Sequence, residues 1–92
     1  MKFEWDEDKN QINLQKHGID FNDVPELFNH PLLTMRDDRF GYLEERWISL
    51  GALRTFVSVV VHTERRQGII RIISARKATR QEAKRYVQSI KN

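Results

Sequence analysis

The chain has no cysteine, so a disulfide framework, a Cys-based metal site and a Cys nucleophile are all closed to it. Proline and glycine are sparse, at two and four of 92 residues, and no linker, repeat or low-complexity tract is present. No apolar run approaches the ~20 residues of a membrane-spanning helix. The opening MKFEWDEDKN is acidic, where a secretory signal would be basic and then apolar. The three histidines, His17, His30 and His62, show no metal-ligand spacing and no carboxylate cluster accompanies them. These absences predict one soluble cytoplasmic domain over residues 1–92, with no metal, no cofactor and no membrane partner.

Acidic residues are also missing from the second half. Residues 46–92 hold 11 Lys or Arg but only Glu64 and Glu82 against them, whereas residues 1–45 hold 5 Lys or Arg and 11 Asp or Glu. The net charge of +3 thus conceals a basic surface built by the later elements. RNA or DNA suits such a surface, and a merely solvated basic face is the alternative.

What is present reads as an α+β layer fold in the order β-α-α-β-β-β-β-α. Residues 3–5 form a short strand or lead-in. Asp6 is placed to cap a helix that runs to His17, and Gly18 to close it. A second helix begins at Asp20 or Asn22, with Pro25 in its first turn, and stops at His30-Pro31. Strands are expected at residues 32–36, 45–50, 55–63 and 68–76, joined by a turn over 37–41, a tight connection through Gly51-Ala52 and a polar turn over 64–68. They make a four-stranded antiparallel meander. Thr79 and Glu82 stand as a capping box, T-x-x-E, at the start of the last helix. That helix carries an apolar stripe of Ala83, Tyr86 or Val87, and Ile90, and a basic side that includes Arg80 and Lys84.

Two long motifs then stand out. The first is Phe3, Glu4, Trp5, Asp6, Lys9, Asn13, Lys16, His17, Gly18, Ile19 and Phe21. The second is RIISARKAT, residues 71–79, followed by Glu82, Arg85 and Tyr86. With Glu45-Arg46 and Gly51 between them, they resemble the BrnT family of bacterial type II toxins over nearly the whole chain. The resemblance implies a RelE-like fold and ribonuclease activity that arrests translation. It also implies a cognate ribbon-helix-helix antitoxin of the BrnA type, which would bring the pair to operator DNA and repress its own operon. His62 departs from the pattern, since many members carry tyrosine or phenylalanine there.

Metal-free RNA cleavage needs few protein groups. The ribose 2′-OH is the nucleophile, a base takes its proton, an acid protonates the leaving 5′-oxygen, and cations stabilise the crowded phosphorane. Arg76 and Lys77, at the junction of the last strand and the last helix, are the expected phosphate grip. A salt bridge that fixes the helix to the sheet is the alternative for Arg76. Arg71 and Arg76 face opposite sides of a regular strand, so they share a site only if a bulge intervenes, and Arg71 is expected to pair with an acid from the first half. Arg46 is a candidate phosphate contact and Glu45 a candidate base. Histidine changes charge near neutral pH, so His17 is a candidate proton carrier, although a histidine before a helix-ending glycine is also a common cap. Lys16, Arg80 and Lys84 are candidate RNA contacts. His62 reads as a core or rim histidine. Trp5 and Trp47 could stack on bases or fill the core. A non-catalytic module that binds nucleic acid or antitoxin and acts as corepressor is the competing function. It predicts that Arg76→Ala weakens antitoxin binding along with toxicity.

Overall fold

Local polar groups set the helix ends. In the computed structural model, which describes residues 1–39, 41 and 43–91, Asp6 accepts from the backbone N–H groups of Asp8 and Lys9 at 2.9 and 3.2 Å. This cap opens α1, Glu7–His17, and Gly18 closes it at φ 74, where any side chain would be strained. Near the other end of the chain, the Thr79 N–H donates to Glu82 Oε1 at 2.8 Å and the Glu82 N–H donates to Thr79 Oγ1 at 3.2 Å. That capping box opens α2, Arg80–Ile90. Among the described residues no helix is long and apolar enough to cross a membrane.

The second expected helix is a 3-10 helix, Phe21–Asn29, capped by Asp20. Its buried residues Phe21, Val24 and Leu27 recur every third position, which is the period of a 3-10 helix. Burying Phe21 and Leu27 completely stabilises the fold by roughly 1.5–3 kcal/mol each.

Among the described residues the sheet has five strands and is mixed, a correction to the four-stranded antiparallel expectation. β2 (Leu33–Arg36), β3 (Trp47–Leu53), β4 (Phe56–Arg65) and β5 (Ile69–Lys77) form the meander, and β1 (Lys2–Glu4) pairs in parallel with the outer edge of β5. β1 is held there by its side chains. Phe3 packs on Phe28 with ring centroids 5.2 Å apart, and Glu4 Oε2 lies 2.6 Å from Arg71 Nη1. The β3–β4 connection falls at Arg54-Thr55, with Arg54 at φ 57, and not at Gly51-Ala52. Gly51 lies inside β3 because Leu27 packs directly on it. A Cβ there would sit 2.7 Å from Leu27 Cγ. The expected turn over 37–41 includes Phe40, which lies outside the described residues. Between β4 and β5 the register jumps. Val61 pairs with Ser74 but His62 pairs with Ile72, so Ile73 is an extra residue in β5.

The sheet carries a core on each face. Val60, Ile72, Ala75 and Leu53 meet Ile19 and the 3-10 helix on one side. Leu50 and Val59 meet Tyr86 of α2 on the other, and the Tyr86 hydroxyl donates to the Pro31 carbonyl at 2.7 Å. His62 belongs to the first face. Only 6 % exposed, it contacts the Phe28 ring and shares a 2.8 Å hydrogen bond between Nε2 and Ser49 Oγ. Burial drives its pKa from 6.5 down to about 4.

Two predictions follow from this packing. Gly51→Ala should destabilise the protein by about 1–3 kcal/mol in urea unfolding, through overpacking against Leu27, and trimming Leu27 in the same chain should recover part of the loss. For His62 the unfolded chain takes up its proton first as pH falls. Stability should therefore decline between pH 6.5 and about 4 and stop responding to this group below that. The full contribution is on the order of 3 kcal/mol, and thermal unfolding of His62→Gln should lack this slope.

Candidate active site

The site begins with two amides in α1. Asn10 and Asn13 are buried in a helix with few apolar residues to bury. Asn10 Oδ1 accepts from the Phe21 N–H at 2.8 Å, and its Nδ2 donates to Asp20 Oδ1 at 3.0 Å, which ties α1 to the start of the 3-10 helix. Asn13 Nδ2 donates to the Ala75 and Ile19 carbonyls at 2.9 and 3.0 Å, while its Oδ1 accepts from the Ala75 N–H at 3.2 Å. β1 covers the β5 edge only as far as Arg71. Beyond it, the Asn13 carboxamide satisfies both backbone groups of Ala75 as a neighbouring strand would. One turn later, α1 delivers Lys16 and His17 to the sheet edge beside Ser74.

The Ile73 bulge decides what they meet. By reversing the alternation of β5, it places Ser74 opposite Val61 and Arg76 opposite Val59, on the α2 side of the sheet. Arg71, opposite Thr63, lies on that same side, but it is held by Glu4 at the far end of the strand and does not line the cleft beside α2.

α2 covers only part of this face and leaves a cleft of about 460 Å³. Its floor is apolar, built from Leu33, Met35, Ile48, Leu50, Val59 and Val61, and its rim carries Lys16, His17, Arg39, Arg76 and Arg85, with Ser74 and Glu82. Four cations thus face one carboxylate. Arg76 Nη1 and Nη2 donate to Glu82 Oε1 and Oε2 at 2.8 and 2.9 Å, and Nη1 also reaches the Lys77 carbonyl at 3.3 Å. The fork holds Glu82 down to about pKa 2 and raises Arg76. The same carboxylate accepts the Thr79 N–H, so one side chain both caps α2 and orients the guanidinium. Arg39 is held by Asp37 in a second fork of 2.7 and 2.9 Å.

Of the residues expected from the sequence, the structure brings Lys16, His17 and Arg76 together. Arg76 ties the sheet to α2, as the salt-bridge alternative has it, and also lines the cleft. Glu45 is exposed, lies 3.5 Å from Arg36 and lines a separate depression. Arg46 is half-buried beside that depression, and its carbonyl accepts the Asp37 N–H at 2.8 Å. Lys77 does not line the cleft; its ammonium sits 5.8 Å from the centroid of Phe56, a ring packed against the first core. Arg80 and Lys84 are exposed on α2 and also lie outside the cleft. Trp5 packs edge-on against Phe21. Arg39, Ser74, Glu82 and Arg85 also line the cleft, beyond the residues expected from the sequence. The i, i+3, i+4 spacing of Glu82, Arg85 and Tyr86, which puts all three on one helix face, was the signal for Arg85.

The cleft thus combines an apolar floor with a basic rim that carries an imidazole. Its class is given by a family match over residues 5–82, described as "Ribonuclease toxin, BrnT, of type II toxin-antitoxin system". The chain belongs to the BrnT family. Its structure is similar to the crystal structure of the Brucella abortus ribonuclease toxin BrnT, with a TM-score of 0.70 and 29% identity over 87% of this chain and 99% of that one. No curated protein sequence matches.

Asn13→Ala should leave the Ala75 and Ile19 backbone groups unsatisfied and release the end of α1. Equilibrium unfolding should register a loss of about 2–4 kcal/mol, and amide exchange at Ala75 should accelerate.

Proposed function

We propose that the chain cleaves RNA by attack of the ribose 2′-OH on the adjacent phosphate, without a metal ion. The convergence of Lys16, His17, Arg39, Arg76 and Arg85 on one cleft, from four separate segments, carries this reading. His17 takes the 2′-OH proton as the O2′–P bond forms. Arg76, already oriented by Glu82, stabilises the phosphorane together with Arg85. Lys16 supplies the proton to the 5′-oxygen as the P–O5′ bond breaks, which leaves a 2′,3′-cyclic phosphate and a 5′-hydroxyl. Glu45, Arg46 and Lys77 stand outside this reacting centre, and Arg80 and Lys84 are peripheral RNA contacts. The toxin acts in the cytoplasm, where cutting RNA stops translation. Family membership implies an antitoxin, and we assign it the ribbon-helix-helix type of BrnA, able to carry the pair to operator DNA and repress the operon.

The test is initial-rate cleavage of an end-labelled oligoribonucleotide in EDTA by antitoxin-free protein. A single 2′-deoxyribose at the scissile position should abolish cutting there. His17→Ala should lower the rate about 10²–10⁴-fold and Arg76→Ala about 10²–10³-fold. Equal cleavage of the deoxy substrate would overturn the mechanism.

A further inference from the structure

The cleft does not end at His17. Lys16, His17 and Ser74 also line a second groove of about 210 Å³, which continues over the β5 edge between that strand and α1 and adds Lys9, Ile12 and Ile73. The groove exists because β1 pairs with β5 only through Arg71, so the edge at Ile73-Ser74 has no strand beside it. Lys9, Ile12 and Lys16 fall at i, i+3 and i+7 and so share one stripe of the helix. Lys9 and Lys16 lie about 10 Å apart along its axis. Neither ammonium has an ion-pair partner among the described residues. Ile12 between them is 64% exposed.

From this geometry we infer that the groove between α1 and β5 is a second subsite for single-stranded RNA, which holds the nucleotides on one side of the scissile bond. The inference rests on the proposed cleavage in the main cleft. Lys9 contacts a phosphate of the departing strand beyond the 5′-oxygen at which Lys16 acts, and Ile12 offers an apolar platform to an unstacked base. A duplex does not fit this path, because the strand must bend over the sheet edge next to the point where its sugar reacts. The reacting phosphate is gripped by Arg76, and affinity for longer RNA comes from α1.

The experiment compares kcat/KM for a minimal oligoribonucleotide with that for substrates extended by three nucleotides at the 5′ or the 3′ side. Wild-type protein should gain about tenfold or more from extension on one side only, mainly through KM. Lys9→Glu and Ile12→Ser should shrink that gain towards one, and Lys9→Ala should make the long substrate's salt dependence shallower by about 0.7 in log–log slope. Lys2→Glu, the same charge change on exposed β1, should keep the gain. Absence of any gain in wild type, or equal losses on short and extended substrates in Lys9→Glu, overturns the subsite. So does a Lys9→Glu protein that binds antitoxin less well yet responds normally to RNA length, since the groove would then serve the protein partner. A length gain that persists while a 2′-deoxy substrate is cut would reject the cleavage chemistry and leave the subsite standing.

Discussion

One carboxamide fixes where the last turn of α1 meets the sheet. Asn13 meets the backbone N–H and C=O of Ala75 and the carbonyl of Ile19, all buried, and so fastens a helix with little apolar surface to the side of a sheet. Hydrophobic burial alone would leave α1 free to slide, since apolar contacts are not directional. Paired hydrogen bonds to a single residue permit one register only. With Asn10 anchoring the preceding turn to Phe21, the helix axis is defined at two points, and the last turn, with Lys16 and His17, must come down at Ser74.

The Ile73 bulge does the complementary work on the strand. A regular β5 would send Arg76 into the first core and Ala75 into the cleft. With the extra residue, Ala75 fills the core at 0% exposure while Arg76 rises beside Glu82. The apolar floor beneath adds to this, because charges at the rim of a poorly hydrated surface attract an anion more strongly than charges in open water. The two forks, Arg76 to Glu82 and Arg39 to Asp37, orient their guanidinium groups before any substrate arrives.

Features set by neighbours in the chain were legible in the sequence. Asp6 and the Thr79–Glu82 box act over three residues, and both helix starts came out where their polar side chains predict. The Arg71 pairing with an acid of the first half was also expected, from strand alternation, although the Ile73 bulge puts Arg71 on the same side as Arg76. Long-range pairing was not. Nothing within Lys2–Glu4 states that it will join β5 in parallel, and the bulge is visible only as the difference between two registers. Gly51 read as a turn because the atom it makes room for belongs to Leu27, far away in the chain. Within the site, Lys16, His17 and Arg76 could be named from local position. Arg39 was hidden in a segment that reads as turn, and the role of Asn13 depends on a partner 62 residues away.

The carboxylate of Glu82 serves two masters, the first turn of α2 and the guanidinium of Arg76. Fraying of that turn and disarming of the cleft are therefore a single event. A protein that binds the frayed form of α2 could silence the enzyme without ever entering the proposed RNA cleft.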